Sequence, residues 1–220
     1  MAEQKTYYRR HLPHWQPPEA TYHVLFRLAG SLPTKIIKEF RQEREQMEKQ
    51  LKKTRQAEER KRLLKDIHWK IFGKYEAFLD GDSTGPHWLM EEATAEIVKE
   101  AMHYRDGREY DLLTYCIMPN HVHMVFTVGR PVWSSYVGRR ESSTYVSDVL
   151  ENLKWYTALR CNEALGRRGE FWQHESYDHV VRDSEELERI IWYVLNNPVK
   201  AGLVKSWEEW GWSYCKPGIL

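Results

Sequence analysis

Two β-rich runs, Glu109 to Ile117 and His121 to Val128, are separated by only Met118-Pro119-Asn120. Parallel neighbours need a crossover of a dozen or more residues, so a link this short makes the pair an antiparallel hairpin. The second run carries His121 and His123. On a strand, residues i and i+2 share a face, so the two imidazoles stand side by side. Val122, Met124 and Phe126 then point the other way. Two neutral imidazoles on one rigid face are two thirds of a divalent-metal site. Standing alone, a His-x-His pair reads more plainly as two strand histidines satisfied by hydrogen bonds. The rest of the chain has to supply what a metal site would need.

The elements around this hairpin follow from periodicity. Tyr7 to Pro18 reads as irregular. Thr21 to Leu28 alternates, with Tyr22, Val24, Phe26 and Leu28 on one side. Thr34 caps a helix through Ile36, Ile37 and Phe40. Gln42 to Lys65 is dense in Lys, Arg, Glu and Gln and would be solvated all round as one helix. Two helices turning back near residues 54–58 fit better, as a hairpin projecting from the body. Its excess of basic residues suits a phosphate backbone, and equally a solvated face.

Glu91 to Tyr104 is an amphipathic helix with Ala93, Ile97, Val98, Ala101 and Met102 on its apolar side. Val146 to Leu165 is a second, with Val149, Leu150, Leu153, Tyr156, Thr157, Arg160 and Cys161 along one side. Ser176 to Val181 is a last short strand. The order βαββαβ predicts an α+β, ferredoxin-like antiparallel sheet with helices on one face. The expected divisions are residues 1–33 (N-terminal segment and first strand), 34–80 (charged helical insert), 81–204 (the remaining domain) and 205–220 (an aromatic tail). The tail is expected to pack on the core; closing over the site or stacking on bases is the alternative.

Composition narrows the setting. Lys plus Arg is 33 against 32 for Asp plus Glu, so the net charge of +1 announces no nucleic-acid binder, although local clusters outweigh the sum. Three widely spaced cysteines, with no C-x-x-C, argue for a reducing compartment and against thiolate-bound zinc. No run approaches the ~20 apolar residues of a membrane span. Met1 to Arg10 is polar and lacks the apolar core of a signal peptide. The expectation is a cytoplasmic protein with no membrane contact. Ten tryptophans and thirteen tyrosines serve a core first, but aromatics are also platforms for unpaired bases.

The second half of a site follows the last strand. Asp183 is an N-cap with Glu186 at the capping-box position, and Pro198 stops the helix. Leu187, Ile190, Ile191 and Val194 form its buried stripe, with Glu186, Arg189, Tyr193 and Asn197 on one flank. A tyrosine and an asparagine four apart can face the two histidines together. A phenol, with its pKa near ~10, is a weak nucleophile at neutral pH, but beside a metal-bound phosphate it can attack phosphorus. Asn197 can add a carbonyl oxygen as third ligand to a hard ion such as Mg²⁺ or Mn²⁺. Tyr177 is the rival tyrosine, on a strand edge with no partner four residues on.

Pro119-Asn120-His121-Val122-His123 resembles the HUH motif of single-tyrosine transposases that act on single-stranded DNA. Tyr177-Asp178-His179-Val180-Val181-Arg182-Asp183, then Tyr193 and Asn196-Asn197-Pro198-Val199-Lys200-Ala201-Gly202-Leu203-Val204, is similar to their REP-associated branch. Those proteins are associated with repetitive extragenic palindromes in bacteria. The resemblance spans Tyr22 to Leu28 and Glu91 to about Tyr214. It implies a ferredoxin-like fold, histidine metal ligands, a helix tyrosine as nucleophile, and recognition of a DNA hairpin with cleavage beside it. The charged insert between Thr34 and Leu79 departs from the family pattern.

The leading expectation is thus a Mg²⁺- or Mn²⁺-dependent DNA strand transferase, as a monomer or homodimer on single-stranded DNA hairpins. His121, His123 and Asn197 hold the metal, and Tyr193 forms a 5′-phosphotyrosine link. Arg9, Arg10, Arg139, Arg140, Arg160, Arg167 and Arg168 are candidate phosphate contacts. Two alternatives stand beside it. One is a domesticated protein that binds hairpins without cutting them. The other is a metal hydrolase that uses water and forms no covalent adduct.

Overall fold

The computed structural model describes residues 7–9, 13–15, 19–53, 56, 59, 70, 72–74, 76–81, 85–129 and 145–220. Its contacts divide the chain into two units, residues 1–28 with 88–220 and residues 29–87. In chain order the elements are β1 (Tyr7–Arg9), β2 (Pro13–Trp15), β3 (Thr21–Arg27), α1 (Thr34–Lys53), α2 (Glu92–Arg105), β4 (Tyr110–Ile117), β5 (His121–Val128), α3 (Val146–Ala164), β6 (Tyr177–Val180), α4 (Ser184–Leu195), α5 (Asn197–Lys200) and β7 (Ser213–Cys215). Among the described residues, no helix is long and apolar enough to cross a membrane.

The larger unit is an antiparallel sheet in the order β6-β3-β5-β4-β7. The first four strands have the ferredoxin-like arrangement, with the two central strands, β3 and β5, flanked by β6 and β4. Every side chain of β5 is buried, as befits a central strand covered on both faces. Tyr22, Val24, Phe26 and Leu28 of the β3 run share one face with Val122, Met124, Phe126 and Val128 of the β5 run. Full burial of such side chains is worth about 1.5–3 kcal/mol each. A slip of one residue would bring His23, Arg27, His121, His123 and Thr127 to that face in place of the apolar set, so the pattern holds the register. In β4 the register slips between Leu112 and Thr114. Leu113 is the extra residue of a bulge, and Leu112 before it and Tyr115 after it both reach the core.

α2 and α3 cover that apolar face. The buried stripe of α2 is Thr94, Ala95, Val98, Ala101, Met102 and Arg105. Ala93 is exposed and Ile97 half-buried, so the helix is rotated by about one residue from the expected side. The Thr94 hydroxyl donates to the Glu91 carbonyl, which satisfies a polar group that would otherwise resist burial. On α3, Val146, Val149, Leu150, Leu153, Thr157 and Cys161 are buried, whereas Tyr156 and Arg160 are exposed. Tyr156 and Arg160 fall on the side of the stripe toward Val149 and face solvent, so spacing alone over-reached there.

Two further segments differ from the sequence reading. The stretch read as irregular contains an antiparallel pair, β1 with β2. Three-residue strands are too short for alternation to register, and Pro13 takes the first strand position, where its missing N–H costs least. The aromatic tail extends the sheet: β7 pairs with β4, and the Trp210 indole donates to the Ile117 carbonyl at 3.0 Å.

The smaller unit contains α1, which runs on to Lys53, and helical residues at 72–74 and 76–80. Lys74 pairs with Glu43 at 2.6 Å and Lys70 with the same carboxylate at 3.8 Å, so the returning segment lies along α1. These lysines are solvent-exposed, and such pairs contribute at most about 1 kcal/mol. Most of the turn expected at residues 54–58 lies outside the described residues.

Candidate active site

Two elements bring the site residues together. β5 presents His121 and His123, and α4, continued by α5, packs on β4, β5 and β7. The helix starts where its capping chemistry dictates. Asp183 Oδ1 accepts from the Glu186 N–H at 2.7 Å. The Glu186 side chain accepts from the Arg182 N–H at 2.9 Å and from His179 Nε2 of β6 at 3.1 Å. Glu186 is buried, so this carboxylate ties the first helical turn to the sheet edge.

Further along, Ile190, Ile191 and Val194 are buried and Tyr193 is half-buried. Arg189 is exposed beside Glu185, so it drops out of the expected flank, whereas Glu186 and Asn197 are buried and Tyr193 is half-buried. Pro198 lacks the N–H that the Val194 carbonyl would accept, and Asn197 Nδ2 reaches that carbonyl instead, at 3.5 Å. Asn197 is fully buried, and its Oδ1 has no hydrogen-bond partner among the described residues. An amide oxygen buried in this way costs about 1–3 kcal/mol unless something accepts its lone pairs.

The histidines form a buried chain. His121 Nδ1 donates to the Asn120 side-chain oxygen at 2.7 Å. An amide oxygen only accepts, so the His121 proton is on Nδ1 and its Nε2 carries a lone pair. That Nε2 lies 3.0 Å from His123 Nε2, and His123 Nδ1 lies 3.2 Å from His23 Nε2. His23 is stacked on His123 with ring centroids 5.5 Å apart. Burial pushes the imidazoles of His23 and His121 down to about 3, with His179 and Lys200 adding to the respective effects. His123 is held well below the usual range by burial, and further by electrostatic coupling to His121, His23 and Lys200. All three are therefore neutral at physiological pH, the state in which imidazole binds metal.

Tyr193 meets this chain edge-on. Its ring centroid is 6.1 Å from that of His123 and 6.3 Å from that of His23. Lys200, exposed on α5, places its Nζ over the phenol ring, 5.5 Å from the centroid. Arg27 is directly opposite His121 in the β3–β5 register, and Cys116 opposite His123 in the β4–β5 register.

The donor set fits a hard divalent ion. Two nitrogens bound at about 2.1 Å and at right angles stand about 3 Å apart, which is the spacing of the two Nε2 atoms. The orphaned Asn197 oxygen is a third donor of the right chemistry. Among the described residues there is no cluster of three or more His, Cys, Asp and Glu side chains able to hold a metal, and a set of two imidazoles and an amide is not one.

The candidate arginines fall elsewhere. Arg160 is on α3, which packs on the opposite sheet face, and is paired with Glu163 at 2.7 Å. The Arg167 guanidinium lies 3.6 Å from the Trp88 ring centroid and donates to Asn162 Oδ1 and the Glu170 carbonyl. Arg168 follows it in the loop that leaves α3 and is exposed. Arg9 falls on β1, while Arg10, Arg139 and Arg140 lie outside the described residues. His23, Glu186 and Lys200 were not singled out as site residues from sequence. His23 carries one signal that was available, a histidine on the non-core face of an alternating strand.

No known family's sequence profile matches the chain. A curated protein of Haemophilus influenzae named “Putative REP-associated tyrosine transposase” is 24% identical over 104 residues, 47% of this chain. The match spans 58% of that protein, less than two thirds of its length. A solved structure described as a REP-associated tyrosine transposase bound to a REP hairpin aligns with a TM-score of 0.49 at 15% identity, over 97% of this chain and 82% of the other. The resemblance to the REP-associated tyrosine transposases is therefore carried by a sequence comparison as well as by the motifs.

Proposed function

We propose that this protein is a single-tyrosine transposase of the HUH type, which binds hairpins in single-stranded DNA and cleaves and rejoins DNA beside them. The observation that carries the reading is the convergence of His121 and His123 Nε2 at 3.0 Å under the edge of the Tyr193 ring. His121, His123 and Asn197 would hold Mg²⁺ or Mn²⁺. When bound, such an ion neutralises phosphate charge and stabilises the crowded transition state.

The chain's own residues do the rest. Glu186 anchors the helix that presents Tyr193, and His23 and His123 fix the orientation of its ring. Tyr193 Oη gives up its proton and attacks phosphorus. The bond from phosphorus to O3′ breaks, and the leaving oxygen takes a proton to become a free 3′-hydroxyl. The 5′-phosphate remains on the tyrosine, so the phosphodiester energy is conserved and a later 3′-hydroxyl can reverse the step without ATP. Lys200 adds a positive charge where the phosphate and the phenolate oxygen carry negative charge.

The test uses a labelled hairpin oligonucleotide with a single-stranded flank, incubated with Mg²⁺ or Mn²⁺ and run on a denaturing gel. A metal-dependent protein–DNA band that disappears in Tyr193→Phe is expected. Cleavage that survives Tyr193→Phe would point to water as the nucleophile and sink the proposal. Hairpin binding with no cleavage in either metal would leave a binding protein.

A further inference from the structure

His23 has no part in the ligand set above, yet it is buried against both halves of the site. It lies on β3, diagonal to His123 across the β3–β5 ladder, since His23 is opposite Val125 and Leu25 opposite His123. Its Nε2 is 3.2 Å from His123 Nδ1, its ring is stacked on His123 with planes 17° apart, and its edge meets Tyr193. A metal-binding histidine normally has its other ring nitrogen held by a carboxylate, a carbonyl or a water, and the two protein groups can only accept. Here that partner is another imidazole, which can donate or accept.

The difference matters because His121 Nε2 is a bare lone pair, its proton being on Nδ1 toward Asn120. With no cation in the site, the 3.0 Å approach of the two Nε2 atoms requires His123 to carry its proton on Nε2. His123 Nδ1 is then an acceptor, and His23 Nε2 must be the donor. With a cation between the two Nε2 atoms, His123 must carry its proton on Nδ1, and His23 Nε2 must be the acceptor. A carboxylate or carbonyl at position 23 would satisfy only the second state.

We propose that His23 is the positioning residue of the metal site, exchanging donor for acceptor so that His123 is hydrogen-bonded both with and without the ion. In the exchange the His23 Nε2 proton crosses to His123 Nδ1. His123 gives up its Nε2 proton, and His23 regains one on Nδ1. Each ring keeps a single proton, so loading the site releases none from this pair. The inference rests on the reading of His121 and His123 as metal ligands.

Two measurements test it on the full chain without DNA. In protein labelled with ¹⁵N-histidine, long-range ¹⁵N–¹H spectra report which ring nitrogen carries each proton. Adding Mg²⁺ is expected to move the His123 and His23 protons from Nε2 to Nδ1. Mn²⁺ affinity, read by electron paramagnetic resonance, is expected to fall about 10–100-fold in His23→Leu. In His23→Gln, whose amide can turn to donate or accept, it should stay within a few-fold of the parent. Unchanged tautomers on metal loading, or a folded His23→Leu that binds Mn²⁺ like the parent, would overturn the role of His23. If Mn²⁺ binding is absent in the parent, or survives His121→Ala, the ligand assignment itself fails and the inference with it.

Discussion

Tyr193 meets His123 edge-on, with ring centroids 6.1 Å apart and planes at 85°. One residue comes from a central strand and the other from a helix that starts beyond the last strand of the motif. Between its apolar contacts the helix is tied down at both ends of the site, by the bond from His179 of β6 to Glu186 and by the buried turn at Asn197-Pro198. Predictions follow from each of those supports.

Asn197→Ala should separate stability from function. The substitution removes a buried oxygen with no partner among the described residues, which partly offsets loss of the long Nδ2 bond to the Val194 carbonyl, so metal-free stability should fall by no more than about 1–2 kcal/mol. Metal-dependent adduct formation should fall by an order of magnitude or more, since a first ligand matters at least as much as the outer partners that cost about 10–100-fold. Urea unfolding and a gel time course check the two halves, and a full-rate variant would remove Asn197 from the site.

Glu186→Ala should loosen the helix. It deletes the acceptor for His179 Nε2 and for the Arg182 N–H. Leaving such buried donors without an acceptor costs about 3 kcal/mol. Thermal unfolding measures the loss, and the tyrosine should gain mobility, visible as faster amide exchange along α4. A variant as stable as the parent would show that the clamp does not hold the helix.

Lys200→Ala should leave folding intact, because Lys200 is exposed. The single-turnover rate of adduct formation should drop by about tenfold, the equivalent of roughly 1.4 kcal/mol of transition-state charge stabilisation. Lys200→Arg should recover most of it. Equal rates in all three proteins would assign the lysine to the surface alone.

Metal-free stability should depend on pH through the buried histidines. Burial lowers His23 and His121 from the ordinary 6.5 to about 3, and lowers His179 more modestly. The folded state keeps them neutral while the unfolded chain takes up protons below about 6.5. Their contribution is complete above that pH and is lost as pH falls toward 3. Each of His23 and His121 should then cost about 2 kcal/mol at pH 5, at about 1.4 kcal/mol per pH unit. Urea titrations at pH 7.5 and pH 5 measure this, and equal stabilities would contradict the buried, neutral chain.

The strand with its two histidines, the capped helix and the order of elements were legible because each is local. Alternation identifies a strand face, Asp183 with Glu186 marks a helix start, and Pro198 marks its stop. Where prediction and structure parted, the reason was also local. The α2 and α3 stripes were drawn too wide, since spacing allows several neighbouring faces and packing selects one. The β1–β2 pair was too short to read.

His23 became a site residue only through a contact between distant parts of the chain, whereas Glu186 and Lys200 meet partners seven residues away, His179 and Tyr193. Nothing within β3 states that it pairs with β5, or in which register, yet that pairing puts His23 on His123. Candidate arginines on α3 and in the loop after it were equally credible in sequence, and the fold places Arg167 on Trp88 instead. By itself the sequence determined which side chains share a face within one element, because the periods of strand and helix are set by backbone geometry. Only the tertiary structure decided which faces meet, because that depends on burying apolar surface from strands and helices far apart in the chain.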